Sequence, residues 1–176
     1  MRRHVLWIVA FACLAIVLWP HRVQAAPLCG FTSSPSVLFG NYDVYGAAVS
    51  STGTINGLCT AGSSSTVRPI ITLSKGGSTT YHPRKMACTS GACLTNGDSA
   101  DVVTYNLYTT AAHATIWGNP TLDATTASVQ LASGCCANNV AFSATVFGFI
   151  PAAISGGAND VSVGGYTDTI VVTMTF

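Results

Sequence analysis

The chain has 176 residues, enough for one domain with one core. Hydrophobic residues make up 49% and charged residues only 7%, against a usual charged share of about 25%, which excludes a disordered tail and leaves the polarity to Ser, Thr, Asn and Gly. Arg2, Arg3 and Arg22 precede residue 26, so the rest carries four basic residues against six Asp and no Glu, a net charge of about −2; no Lys/Arg cluster remains for nucleic acid or an anionic membrane surface.

Met1-Arg2-Arg3-His4 is a basic start, Val5 to Trp19 is uninterrupted apolar sequence, and Val23-Gln24-Ala25 suits a signal peptidase cut. Residues 1–25 are therefore expected to be a secretory signal peptide, and residues 26–176 one exported domain. The apolar run falls short of the roughly 20 residues of a spanning helix, so a membrane-spanning protein is not expected. Cys13 follows Ala10-Phe11-Ala12, a poor lipobox, and is not read as a lipid attachment site.

After Ala26 the segments are short, rich in Val, Ile, Thr, Tyr and Phe, and punctuated by Gly, Asn, Ser and Pro, the pattern of strands. Val37-Leu38-Phe39-Gly40 reads as a first strand, Thr52 to Thr60 as a second, and Arg68 to Ser74 as a third that Lys75-Gly76-Gly77-Ser78 ends. Val102 to Thr109 alternates, Ala127 to Leu131 is weaker, and Asn139 to Ile150 is a long apolar run closed by Pro151. Ala152 to Gly165 reads as a Gly-rich loop. Tyr166 to Phe176 reads as one strand whose even positions from Ile170 are apolar and whose odd positions are mostly Thr. About seven strands in roughly 150 residues predict an all-β, immunoglobulin-like sandwich. A long hydrophobic strand on a sheet edge is an aggregation hazard, so either another segment pairs with this last strand or it lies in mid-sheet beside earlier ones.

Six cysteines follow the signal segment: Cys29, Cys59, Cys88, Cys93, Cys135 and Cys136. An even number in an exported chain points to disulfides. Cys88 and Cys93 flank a short loop and can close locally; adjacent Cys135 and Cys136 reach two different partners, or one stays free. His82 and His113 stand alone without metal-ligand spacing, so no metal or other cofactor is expected. Neither histidine sits in a nucleophile motif. Asp98 and Asp101 read as turn residues, Asp168 as a structural acid before the last strand, and Gly76-Gly77 and Gly156-Gly157 as turns, so no enzyme activity is expected. Tyr42, Tyr45, Tyr81 and Trp117 stand near turns, where they could be presented to a surface; the favoured expectation is that Trp117 and at least one Tyr fill the core. The stretch Phe147, Phe149, Ile150, Pro151, Ala152, Ala153 and Ile154 runs into the Gly-rich loop and is a candidate adhesive patch.

A run of motifs carries a resemblance: Phe39-Gly40-Asn41-Tyr42-Asp43, Thr52-Gly53-Thr54-Ile55, Cys59-Thr60, Arg84-Lys85-Met86, Tyr105-Asn106-Leu107-Tyr108-Thr109, Ile116-Trp117-Gly118, Val146-Phe147-Gly148-Phe149-Ile150-Pro151-Ala152 and Gly164-Gly165-Tyr166 through Phe176. In this order and spacing the chain resembles the spore coat protein U domain family, the subunits of archaic chaperone-usher pili. It departs from the family at Thr110-Ala111-Ala112-His113, where Asp-Ala-Ala-Arg is usual, and Cys88, Cys93, Cys135 and Cys136 look like additions. The resemblance implies an incomplete immunoglobulin-like sandwich of about six to seven strands lacking its final strand, with a hydrophobic groove between the first and last strands lined by Val37, Phe39, Ile170, Val172, Met174 and Phe176. It also implies a Cys29–Cys59 disulfide. The implied partners are a periplasmic chaperone, which also holds the carboxylate of Phe176, an outer-membrane usher, and the donor strand of a neighbouring subunit. Strand addition would place the protein in the periplasm and then on the cell surface. Only Ala26-Pro27-Leu28 lies between the expected cut and Cys29, too little for a donor strand, so a distal tip or cap subunit is expected; a free-standing secreted coat or matrix protein is the alternative.

Overall fold

The computed structural model describes residues 28–60, 68–95, 101–131, 140–156 and 158–175. The expected signal peptide, Asp98, Cys135, Cys136, Gly157 and Phe176 lie outside the described residues. Among the described residues nine strands and one helical turn follow in order: β1 (Leu28–Phe31), β2 (Val49–Thr60), β3 (Ile70–Leu73), β4 (Arg84–Gly91), α1 (Ala92–Thr95), β5 (Val102–Tyr108), β6 (Val129–Gln130), β7 (Val140–Ile150), β8 (Gly164–Thr167) and β9 (Val172–Thr175). They form a six-stranded sheet in the order β1-β2-β7-β5-β4-β8 and a three-stranded sheet in the order β6-β3-β9, with every strand pair antiparallel. This is an all-β, immunoglobulin-like sandwich.

The long pair β2–β7 forms because both strands alternate strictly. Ile55 and Cys59 on β2, and Phe142, Ala144, Val146 and Ile150 on β7, face the core, whereas Thr52, Thr54, Asn56, Ser143 and Thr145 face out. From the opposite sheet Ile71 and Leu73 of β3 reach the same core, joined by Met86, Val103, Tyr105, Leu107 and Trp117. Trp117 is completely buried and ties the two sheets together: its N–H donates to the Leu107 carbonyl of β5, and its indole Nε1 donates to the Ile71 carbonyl of β3 at 3.0 Å. Tyr81 and Tyr105 are buried as well.

Three strand expectations are corrected. Residues 37–40 form no ladder; the segment instead crosses the inner face of β2 and β7, where a side chain at Gly53 would meet the Ser36 carbonyl and one at Gly148 would meet Val37 and Phe39. Among the described residues the first strand is β1, too short to read from its sequence. Tyr166 to Phe176 is not one strand, because β8 pairs with β4 and β9 with β3, so the chain changes sheets between them. The Asp168 carboxylate fixes this crossing by accepting hydrogen bonds from Gly77 N, Thr169 N and the Tyr105 hydroxyl. Strand β4 escaped the sequence reading because one of its two inward residues is Arg84, where alternation calls for an apolar side chain.

Candidate functional site

The smaller sheet ends at β9, which pairs with β3 through Ile70↔Thr175, Ile71↔Met174, Thr72↔Thr173 and Leu73↔Val172 and with no other strand among the described residues. Just before it, the Val171 carbonyl accepts from Ser74 N and Val171 N donates to the Ser74 hydroxyl, each at 2.9 Å. Antiparallel pairing alternates, so the main-chain groups of Val172 and Met174 turn to the open side. The side chains of Ile170, Val172 and Met174 pack on the core but stay half-buried, and Thr173 and Thr175 face out.

Val37 and Phe39 also pack half-buried on the same core. Their segment is held by the Ser51 hydroxyl, which donates to the Leu38 carbonyl at 2.5 Å, and by Tyr42, whose hydroxyl donates to the Pro151 carbonyl at 3.2 Å. It therefore runs alongside β7, from Gly148 towards Pro151. Gly53 and Gly148 permit this close approach, the usual meaning of glycine inside a strand.

Tyr105 connects the two segments. Phe39 meets its ring edge-on, centroids 5.9 Å apart, and its hydroxyl donates to Asp168 at 2.6 Å. Burial, reinforced by the hydrogen bond and charge of Asp168, pushes the Tyr105 phenol well above its ordinary range, so it stays a neutral donor. Beside it Arg84 is completely buried. Its guanidinium donates through Nε and Nη2 to the Ser74 carbonyl, through Nη2 to the Trp117 carbonyl at 2.7 Å, and through Nη1 to Asn106 Oδ1 at 2.9 Å. Burial lowers its pKa, countered by Tyr105, Tyr81 and Asp168. Arg84 thus joins the end of β3 to β5 and to the Trp117 segment. Its role was missed in the sequence, although Arg84-Lys85-Met86 had stood out as a motif; an arginine reads as exposed unless its carbonyl partners are known.

Cys29 lies opposite Cys59 in the β1–β2 ladder and is disulfide-bonded to it, and Cys88 is bonded to Cys93. His82 is exposed and contacts Asn106; His113, at φ 53°, stacks between Tyr108 and Phe149. The two histidines lie in different networks. Among the described residues no group of three or more His, Cys, Asp or Glu side chains could hold a metal ion, and no helix is long and apolar enough to cross a membrane. Within the apolar stretch, Ile150 is buried and Ile154 is 67% exposed; the loop carrying Ile154 is pinned by Asn159, whose side chain bonds Thr104 and the Pro151 carbonyl.

Residues 17–173 match the model of the Spore Coat Protein U domain. No curated protein matches the chain. With nearly its whole length matched, the chain belongs to the Spore Coat Protein U domain family, the family of archaic chaperone-usher pilus subunits.

Proposed function

We propose that this protein is a strand-accepting subunit of an archaic chaperone-usher pilus, completed by donor-strand complementation. The observation that carries this reading is the open edge of β9. Its inward side chains Ile170, Val172 and Met174 stay half-buried, and Val37 and Phe39 pack half-buried on the same core from a segment that joins no ladder. An extended strand added at β9 would satisfy the main chain of Val172 and Met174 and help to cover these five side chains, and Phe176 belongs to the same expected groove-lining set. Main-chain bonds supply affinity and alternate side chains specificity.

A periplasmic chaperone would lend this strand first, holding the C-terminal carboxylate with basic groups, and a neighbouring subunit would replace it at the outer-membrane usher. The protein acts as structure and adhesive, without catalysis. It sits at the distal end of the fibre. The residues after the expected cut enter β1 at once, and Cys29–Cys59 fastens β1 to β2. Ala26-Pro27-Leu28 spans only about 10 Å as a strand, too short to complete another subunit.

The test is to produce the exported chain alone and together with a candidate periplasmic pilus chaperone. Aggregation or a low melting temperature alone, and a stable one-to-one complex with the chaperone, are the expected results. A lone chain that is a soluble monomer with one sharp transition overturns the reading in favour of a free-standing secreted coat or matrix protein.

A further inference from the structure

β5 changes neighbours along its length. Asn106, Leu107 and Tyr108 pair with β7, but β7 ends at Ile150, and beyond it the side chain of Asn159 takes the same flank of β5. Its Oδ1 accepts from Thr104 N at 2.5 Å and from the Thr104 hydroxyl at 2.7 Å, and its Nδ2 donates to the Thr104 carbonyl at 3.1 Å. The main chain of Thr104 is thus turned away from β4, although Lys85 of β4 lies directly opposite it in register. Asn159 is 2% exposed, so the 158–161 segment is fixed beside β5 on the side away from Lys85. Elements on either side of one strand stand roughly 10 Å apart.

Between these two walls lies an open cavity of about 310 Å³, bordered by Lys85, Asp101, Val102, Thr104, Asp160 and Val161, a size that admits a small ligand. It sits on the outer face of the larger sheet, because Lys85 alternates with buried Arg84 and Met86, and Thr104 with buried Val103 and Tyr105. Its charges are separated by sign. Asp101 Oδ2 accepts from Ser162 N and Asp160 Oδ2 from Gly156 N, each at 2.7 Å. These bonds hold both carboxylates at the loop wall and leave one oxygen of each uncommitted. Lys85 belongs to the opposite wall. Its main-chain N–H donates to the Ser78 hydroxyl, whereas its ammonium has no hydrogen bond or ion pair among the described residues.

We propose that this cavity binds a small zwitterion, an amino acid or dipeptide with a free ammonium and a free carboxylate. The ammonium goes to Asp101 and Asp160, the carboxylate goes to Lys85, and Val102 and Val161 take the apolar atoms between them. Charge-assisted bonds at both ends are the strong kind. A ligand lacking either charge leaves one wall unmatched, and a neutral sugar leaves both so. Two carboxylates against one ammonium also disfavour a simple anion. The cavity lies on the larger sheet and the open edge of β9 on the smaller one, so the inference does not depend on the strand-accepting reading.

The test uses the full exported chain, carried by its chaperone where the chain alone aggregates, and saturation-transfer NMR with glycylglycine. Glycylglycine should bind, and N-acetylglycylglycine and glycylglycinamide, each missing one charge, should bind about tenfold more weakly. Lys85→Met and Asp160→Asn should each weaken glycylglycine by a similar factor at an unchanged melting temperature. Both side chains are exposed, and an Asn amide oxygen can still accept from Gly156 N. In Lys85→Glu the selectivity should reverse, with putrescine, an ammonium at each end, outcompeting glycylglycine. Equal binding of the blocked dipeptides, unchanged binding in Lys85→Met and Asp160→Asn, or no gain of putrescine in Lys85→Glu overturns the inference. So does silence from glycylglycine, whether or not glucose gives a signal, or a signal that the chaperone alone reproduces. Strand binding at β9 is measured separately and stands or falls by itself.

Discussion

β8 and β9 are successive strands of four residues each, each at the edge of its sheet, and they are built for different fates. β8 begins with Gly164-Gly165, where a side chain at Gly164 would strike Cys93 and the Ser90 carbonyl. Cys88–Cys93 locks the adjoining turn, and Cys93 N donates to the Val163 carbonyl. The β4–β8 register also shifts between Cys88 and Ser90. Glycine, a bulge and a short length are how sheets keep an edge from pairing further. β9 has only the short length. Its Val172-Thr173-Met174-Thr175 alternates cleanly, and no disulfide among the described residues reaches it. An edge meant to stay single is blunted, whereas one meant to gain a strand keeps its strand-forming sequence.

The largest expected effect should abolish the distinction altogether. Arg84→Ala removes four hydrogen bonds and leaves the Ser74 and Trp117 carbonyls without their buried donor, a loss of about 3–5 kcal/mol. Denaturant unfolding of the chaperone complex should show both sheets lost together. Two disulfide removals then separate the edges. Replacing Cys29 and Cys59 by Ser opens a separation of 30 residues, costing about 3.6 kcal/mol on the chain-entropy account, and frees β1. Replacing Cys88 and Cys93 opens a separation of only 5, costing about 2 kcal/mol. This second variant should increase self-association through β8 while leaving strand binding at β9 intact, a pair of outcomes readable by light scattering and peptide displacement.

Gly148→Val sharpens the comparison from the other side. Even a single added carbon meets Phe39 and Val37 at 2.7 Å, so the 36–40 segment must lift, at about 1–3 kcal/mol. Peptide or chaperone affinity should fall while β8 is untouched. The smallest effect belongs to Tyr105→Phe, which loses the bond to Asp168, worth about 1 kcal/mol, and alters the pH profile. Because the folded-state pKa of Tyr105 is raised by burial and Asp168, its contribution is complete below the ordinary phenol value of about 10 and is lost as pH climbs beyond it. The wild type should therefore lose stability above about pH 10 more steeply than the variant, as read by thermal melts across alkaline buffers.

The strands with strict alternation were legible. Residues 52–60, 102–109 and 139–150 were placed within a few residues of β2, β5 and β7, of which β2 and β7 bury one face and wet much of the other, while β5 is covered on both. Trp117 was expected inside and is there, and the Cys29–Cys59 bond implied by the family resemblance joins directly opposed residues. What failed were the places where main-chain pairing, rather than side-chain pattern, decides. Val37 to Gly40 has a strand's composition but lies on the face of β2 and β7 without joining a ladder. Tyr166 to Phe176 has one continuous pattern but two partners, and the switch at Asp168 depends on Tyr105 and Gly77, distant in sequence.

By itself the sequence determined the class of fold, through alternation and turn residues, and the apolar character of Ile170, Val172 and Met174. The tertiary structure decided which edge those residues occupy, that β9 pairs with β3 and with no other strand among the described residues while the 36–40 segment crosses the inner face of β2 and β7, and that a buried arginine holds the two sheets together. Periodicity is local and survives in the sequence; pairing and burial are made by residues 20 to 100 positions apart, such as Arg84 with Asn106 and Gly77 with Asp168, and only the fold brings them within reach.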